Sequence, residues 1–260
     1  MPKLPVVPLT PFQAKFLVEG IGTFVLALTV FLAEVECGAG ALNGTTKIRN
    51  LAPIAAGFIL AVMVFTFGYI SGGHFNPAVT LGIMFVNIIR IDQALAYIIA
   101  QCIGAFMGAG FGVLLTGPGP QMPAPEVYRG LPEFIFRGFV GEAIFTGALV
   151  TVVLHVACSK QKDNHFYGFA VGMTVMASAY AVGGVSGGCF NPALATGFQV
   201  VKCFAGYCTA LLNLWLYWGA PAAGALGASI AFKMVHPKIG QQGAAGADKD
   251  EPAPRHEQLY

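Results

Sequence analysis

Charged residues are scarce in this chain of 260 amino acids, which has 14 Lys and Arg residues and 12 Asp and Glu residues. A soluble domain has roughly a quarter of its residues charged, whereas the charged share here is 10% and the hydrophobic share is 56%. Residues 51–125 contain only the charges of Arg90 and Asp92, and residues 164–232 contain only that of Lys202. This scarcity excludes a soluble globular protein and predicts an all-α polytopic membrane protein.

The marks of several other protein classes are also missing. A net charge of +2 without a strong cluster of Lys and Arg excludes a basic nucleic-acid-binding protein, so we expect no nucleic-acid partner. No phosphate-binding loop, Ser-His-Asp set or CxxC metal spacing stands out, and we therefore expect neither an enzyme nor a metal or cofactor site. Most of the six cysteines lie in apolar runs, which predicts free thiols rather than disulfides.

Apolar runs long enough to cross a membrane occur six times, since a transmembrane helix needs about 20 mostly apolar residues. The runs are residues 16–37, 51–70, 93–115, 134–157, 166–185 and 206–232. Two further apolar segments, 77–89 and 192–201, are too short to cross alone and are predicted to be re-entrant half-helices.

The two halves of the chain repeat each other. Residues 71–78 read SGGHFNPA and residues 186–193 read SGGCFNPA, with seven of eight positions identical, and Glu19 and Glu142 correspond upstream. Each repeat has three full spans, so the second copy must be inverted in the membrane, and the two half-helices then meet from opposite sides. We place a channel domain at about 12–235, with repeats at about 12–117 and 132–235. A cytoplasmic segment 1–11 precedes it, and a disordered cytoplasmic tail, 236–260, follows it.

The repeated motif has the chemistry of a helix start. Asn76 and Asn191 are predicted N-caps, and the prolines after them take the first helical position, where no needed donor is lost. Two facing half-helices bring two positive dipole ends, each of about half a charge, to one place. We expect both asparagine side chains to donate to water there, which breaks the chain of hydrogen bonds that protons need and repels cations.

These motifs, together with the inverted repeat, resemble those of the major intrinsic protein family, the aquaporins and aquaglyceroporins. The resemblance rests on Asn76-Pro77-Ala78 and Asn191-Pro192-Ala193. It implies six spans and two half-helices in a lipid bilayer, a pore in every monomer and a homotetramer. The irregular backbone before each half-helix is expected to line the pore with carbonyls, those of Gly73, His74, Phe75 and Cys189.

Four positions form the solute filter in this family, and the resemblance places them at Ala56, Ala179, Gly188 and Leu194. The family's usual Arg is replaced by Leu194, so the filter is expected to be wide and apolar. Ala195 stands where glycerol facilitators usually carry Asp. We therefore predict a passive water channel that excludes protons and ions. The alternatives left open are a channel for glycerol, urea, ammonia or peroxide, and an ion channel.

The remaining ionisable groups have simpler interpretations. Glu19 and Glu142 lie inside spans, where they are either proton-relay groups or structural acids that accept hydrogen bonds from the irregular backbone; their repetition favours the second. No charge is expected on the pore wall. Nine Lys and Arg residues in the predicted cytoplasmic connections against five outside indicate that both termini are cytoplasmic. A sequon at Asn43 would then lie outside, in either a plasma membrane or a vacuole-like one.

Overall fold

The structure, a computed structural model, describes residues 8–42, 51–127 and 132–237. The predicted sequon at Asn43 and most of both predicted terminal segments lie outside these residues. The described ranges contain a short 3-10 helix, Cys208–Asn213, and no strand. The α-helices are α1 (Pro11–Leu42), α2 (Ala52–Ser71), α3 (Pro77–Phe85), α4 (Ile91–Thr116), α5 (Pro132–Cys158), α6 (Tyr167–Ser186), α7 (Pro192–Phe204) and α8 (Leu214–Val235).

The long helices have the surface of a membrane protein. Five of the described helices, α1, α2, α4, α5 and α6, are long and apolar enough to cross a membrane. On α4, the large apolar side chains of Leu95, Ile99 and Ile103 are exposed at four-residue spacing, whereas Tyr97 and Gln101 are fully buried. An apolar exterior around an interior that contains many small and polar residues fits a bilayer as the surrounding solvent. The predicted all-α polytopic fold is confirmed.

The helices pack as two related halves. In the first half α1 packs most extensively against α4, and in the second half α5 packs in the same way against α8, while α2 and α6 pair between the halves. By this equivalence α8, with 22 residues, takes the sixth spanning place. Glycines allow the α2–α6 crossing, because a Cβ on Gly57 would lie only 2.7 Å from the carbonyl oxygen of Gly172.

Each half-helix follows the same backbone path. The helices α2 and α6 end at Gly72 and Gly187, whose φ angles of 95° and 85° are left-handed and close each helix with an N–H bond to a carbonyl four residues back. Phe75 and Phe190 then adopt φ angles of 47° and 52°, which few residues other than glycine adopt. The recurrence of this uncommon conformation in both repeats shows that the packing around the half-helices holds it.

Two predicted segments are longer than the helices they form. The first half-helix ends at Phe85 rather than at residue 89, because the chain turns through a left-handed φ of 61° at Asn87, a residue type that tolerates it. The sixth span begins at Leu214 rather than at residue 206, because the chain first forms the 3-10 helix.

The prediction for the cysteines is wrong for one pair. Cys203, in the last turn of α7, and Cys208, at the start of the 3-10 helix, form a disulfide. The turn between them passes through Gly206 at a left-handed φ of 95°, and this bend brings the two side chains together. Cys37, Cys102, Cys158 and Cys189 are free thiols, as predicted.

Candidate functional site: the pore between the half-helices

Each half-helix begins with an asparagine cap. The Asn76 Oδ1 atom accepts a hydrogen bond from the Ala78 N–H at 2.8 Å, and the Asn191 Oδ1 atom accepts one from the Ala193 N–H at 3.0 Å. The Leu194 N–H adds a longer contact of 3.4 Å to the same Asn191 oxygen. The prolines that follow are buried at the first helical position. The predicted helix starts are therefore present in both repeats.

Each asparagine side chain also donates a hydrogen bond to a backbone carbonyl of the opposite repeat. The Asn76 Nδ2 atom donates to the Phe190 carbonyl at 2.9 Å, and the Asn191 Nδ2 atom donates to the Phe75 carbonyl at 2.9 Å. Each side-chain amide has two N–H groups, so one remains on each asparagine. Both asparagines also line a common cavity. The N-termini of α3 and α7 therefore meet head to head at one point of that cavity.

The cavity has a volume of about 250 Å³ and follows the whole length of α6, from Tyr167 at its first turn to Gly187 at its end. A helix of 20 residues is ~30 Å long, the thickness of the hydrocarbon core. The cavity therefore has the length of a transmembrane pore. All four predicted filter positions, Ala56, Ala179, Gly188 and Leu194, lie on its wall.

Close packing explains the glycine among these four positions. Gly188 has a φ of 61°, and a Cβ there would lie 3.2 Å from the Cα atoms of both Ala179 and Gly183 on α6. The backbone of residue 188 therefore rests directly on α6, and a side chain in this left-handed conformation is strained.

Of the four residues in the predicted carbonyl wall, three are among those that line the cavity. Gly73, His74 and Cys189 line it, whereas Phe75 does not. The Phe75 carbonyl accepts the Asn191 amide, so it serves the contact between the repeats. Phe190, which the sequence interpretation omitted, does line the cavity.

Glu19 is fully buried and accepts four hydrogen bonds. The donors are the Ser71 hydroxyl at 2.6 Å, the backbone N–H groups of His74 at 2.9 Å and Phe75 at 2.8 Å, and the Gln101 side-chain amide at 2.8 Å. An ionised carboxylate offers about four acceptor positions. These bonds hold the irregular segment before α3 in place.

Glu142 does the same for the segment before α7. It is fully buried and accepts from the Ser186 hydroxyl at 2.7 Å and from the backbone N–H groups of Cys189 at 3.0 Å and Phe190 at 2.7 Å. Buried backbone donors need such partners. The hydrogen bonds that the sequence predicts for two structural acids are present in both repeats.

One charge lies on the wall, where none was expected. Glu34 of α1 lines the cavity in a row with Leu26 and Val30. Residues four apart share one face of a helix, so a helix that presents Leu26 and Val30 to the cavity also presents Glu34. The spacing was visible in the sequence, but the face of α1 that borders the pore was not.

A segment between α4 and α5 forms another part of the wall that the sequence interpretation missed. Pro123, Ala124 and Pro125 line the cavity. The Gln199 side-chain amide of α7 donates to the Pro125 carbonyl at 2.8 Å, and the Lys202 ammonium lies 3.8 Å from the Glu126 carboxylate. These contacts attach the segment to the C-terminal half of α7, at the mouth where α6 ends.

Comparison with known proteins agrees with this geometry. A family model described as "Major intrinsic protein" matches residues 8–232. Aquaporin NIP1-2 of Arabidopsis thaliana is 34% identical over 233 residues, which are 86% of this chain and 75% of the relative. The glycerol uptake facilitator protein-like 6 of Lactiplantibacillus plantarum is 32% identical over 235 residues, which are 85% and 97% of the two chains.

A solved structure shares the fold. The X-ray structure of the aquaglyceroporin from Plasmodium falciparum matches with a TM-score of 0.74 and 20% identity, over 88% of this chain and 98% of the other. The capped half-helices, the continuous cavity and these matches lead to one conclusion. The chain belongs to the major intrinsic protein family, and it is a membrane channel for water or small solutes rather than an enzyme.

Proposed function

We propose that this protein is a passive water channel that excludes protons and ions. The observation that carries the proposal is the head-to-head pair of half-helices. Each of their asparagines donates a hydrogen bond to a backbone carbonyl of the opposite repeat, and both line one cavity. Each asparagine keeps one N–H for a passing water, and that water donates its own hydrogens to carbonyls along the wall. A water held in this way cannot pass a proton to its neighbour in line.

A second candidate function is the passage of small neutral solutes such as glycerol. The side chains of Ala56, Ala179 and Leu194 are apolar, and Gly188 has none, so the filter offers no side-chain donor and no positive charge. One similar protein is named as a glycerol uptake facilitator, which supports the same candidate. Ion conduction ranks below both, because the two positive helix ends oppose cations at the centre of the pore.

Osmotic shrinkage of proteoliposomes tests the proposal. We expect the wild-type protein to raise water permeability above that of protein-free liposomes, with no ionic current in planar bilayers. Leu194→Arg restores the family's usual charge and fills the filter. Glycerol flux should therefore fall about tenfold while water flux persists, and this fall corresponds to an increase of ~1.4 kcal/mol in the barrier to glycerol. Leu194→Met is the control, since it lengthens the side chain without adding a charge.

The outcomes separate the candidates. Water permeability equal to that of bare lipid contradicts the water channel, and glycerol flux that exceeds water flux favours the second candidate. An ionic current that scales with the amount of protein supports the ion channel instead. If Leu194→Met reduces glycerol flux as strongly as Leu194→Arg, side-chain size rather than charge governs the filter.

We also propose that both termini are cytoplasmic. The disulfide Cys203–Cys208 lies at the end of α7, beside the mouth that Lys202 and Pro125 border. Disulfides persist in oxidising compartments, which supports an outward position for this mouth. The test uses intact cells, in which a membrane-impermeant reductant opens the disulfide and an impermeant maleimide is then added. If this mouth faces outward, the maleimide labels both cysteines. Labelling only after the cells are opened contradicts it.

Family membership also supports a proposal for the assembly and the domain limits. We propose a homotetramer in which each subunit, through a channel domain of about residues 12–235, has its own pore. Light scattering of the purified protein in detergent measures the number of subunits, after the mass of bound detergent is subtracted. A monomer that conducts water at full rate contradicts the tetramer but not the channel.

A further inference from the structure

Glu34 is the one acidic side chain on the described part of the pore wall. It is half-buried in α1, and it makes no hydrogen bond or ion pair with any residue that the structure describes. Partial loss of water penalises the charge of a carboxylate unless a hydrogen-bond donor compensates for that loss. The acceptor positions of Glu34 therefore face the cavity without a partner from the described protein.

The position of Glu34 places it towards one mouth. It is the last residue of α1 that lines the cavity, and Ala52 is the first residue of α2 that does so. Successive spans run in opposite directions, so both residues mark the same end of the pore. The filter residue Ala56 lies one helical turn further along α2 than Ala52. Glu34 and the filter residue Ala56 therefore lie towards the same mouth of the pore, and a solute that enters there meets both.

We propose that Glu34 is a specificity-determining residue that favours small neutral solutes rich in N–H and O–H donors, such as urea and glycerol. The inference rests on the proposed function, since it requires a channel that admits solutes of this size. A carboxylate accepts hydrogen bonds and, when ionised, donates none. Glu34 therefore replaces part of the solute's hydration at the mouth where Ala56 lies, while the filter residues Ala56, Ala179 and Leu194 provide no polar side chain.

The charges along the pore explain why neutral donors are the favoured class. The carboxylate of Glu34 repels anions at the mouth. The positive ends of α3 and α7 then oppose cations at the centre, where Asn76 and Asn191 meet. A neutral solute with several donors gains the hydrogen bond at the mouth without meeting the barrier at the centre. Water gains less, because it loses fewer hydrogen bonds when it enters.

The test compares two glutamates two residues apart on α1. Glu34→Gln keeps the size of the side chain and removes its charge, while Glu36→Gln makes the same change at an exposed residue that does not line the cavity. Fluxes of urea, glycerol and water are measured in proteoliposomes by stopped-flow light scattering. In Glu34→Gln we expect urea and glycerol fluxes to fall about fivefold, because a neutral acceptor forms weaker hydrogen bonds than a charged one. We expect the water flux of this variant to change less than about twofold.

A second variant tests charge directly. Glu34→Asp keeps a carboxylate, and we expect its urea and glycerol fluxes to lie nearer to wild type than those of Glu34→Gln. Glu36→Gln should match wild type for all three permeants. Because water flux is measured on the same vesicles, a variant that fails to fold is recognised by the loss of all three fluxes, and Glu34→Asp then decides the question.

The results distinguish failure of this inference from failure of the proposed function. If wild-type vesicles conduct no water, the proposed function fails. If they conduct water but Glu34→Gln leaves the ratio of solute to water flux unchanged, the inference alone is overturned. It is also overturned if wild-type protein conducts water and excludes both urea and glycerol, or if Glu36→Gln changes that ratio as much as Glu34→Gln does.

Discussion

Glu19 and Glu142 hold the same backbone turn in the two repeats. Each accepts a serine hydroxyl and two successive backbone N–H groups. Tyr97 and Tyr217 are also equivalent, since each donates its hydroxyl to the carbonyl of that serine. This shared set recurs although the two repeats differ at most other positions. These hydrogen bonds therefore support the half-helix in both repeats.

The first repeat adds a polar network that the second lacks. The Gln101 amide donates to Glu19 and, at 3.0 Å, to the Thr80 hydroxyl, which also contacts the His74 Nδ1 atom at 3.1 Å. The corresponding positions in the second repeat are Pro221, Ala195 and Cys189. The same backbone is thus supported by a hydrogen-bonded network in one half and mainly by apolar packing in the other. The network is an addition to the fold rather than a requirement of it.

The largest expected effect comes from removing either acid. Glu19→Leu leaves four buried donors without an acceptor and should cost at least about 4 kcal/mol of unfolding free energy. Glu142→Leu leaves three such donors without an acceptor and should cost about 3 kcal/mol. Unfolding in mixed micelles, followed by tryptophan fluorescence, measures both. Glu19→Gln and Glu142→Gln are the controls, since each keeps one acceptor oxygen. A greater loss in Glu142→Leu than in Glu19→Leu would contradict the ranking.

A second prediction uses the residue three positions after each acid, which is Gly22 in the first repeat and Phe145 in the second. A Cβ on Gly22 would lie 2.6 Å from the Phe75 Cζ atom, whereas Phe145 packs beside Phe190 with ring centroids 6.1 Å apart. Gly22→Ala should therefore displace the Phe75 ring and cost about 2 kcal/mol of unfolding free energy.

Gly110→Ala is the matched control for Gly22→Ala, because a Cβ on Gly110 of α4 meets nothing within 4 Å. We expect this variant to be neutral or slightly more stable, since alanine favours the helix. Water flux should fall in Gly22→Ala alone, because the Phe75 carbonyl that accepts the Asn191 amide moves with its residue. Equal stability of the two alanine variants would show that the Phe75 ring adjusts without cost.

The smallest expected effect makes the first repeat resemble the second. Gln101→Leu removes one donor to Glu19 and leaves it three, the number that Glu142 has. The expected cost is about 1 kcal/mol, since one hydrogen bond to Glu19 is lost but a buried Gln101 oxygen without a partner is removed as well. A double-mutant cycle with Thr80→Val measures the coupling in the network. Additive effects would mean that the two residues act separately.

The local chemistry of the half-helices could be predicted from the sequence. Asparagine before proline specifies a capped helix start without reference to the rest of the fold, and the repetition of the motif supplied the inverted arrangement. The two acids could be assigned in the same way, because Glu19 and Glu142 precede their motifs at similar distances. Their partners are backbone groups of the motif itself, so no unknown packing was needed.

The features that depend on packing could not be predicted. The Phe75 carbonyl accepts a hydrogen bond from Asn191, which lies 116 residues away in the sequence. The disulfide depends on how far α7 extends and on the turn at Gly206. The position of Glu34 depends on the rotation of α1 about its own axis. The wall segment from Pro123 to Pro125 has no periodicity, and its place is set by Gln199.

The hydrogen bonds that Asn76 and Asn191 donate to the Phe190 and Phe75 carbonyls have a consequence for biosynthesis. The first repeat is made and inserted before the second, so the Asn76 amide and the Phe75 carbonyl lack these partners until α7 arrives. Neither motif is complete in a half-made chain. The step that joins the repeats is therefore also the step that completes the pore. A truncated protein with only the first repeat lacks the paired half-helices and has no complete pore through which solutes could pass.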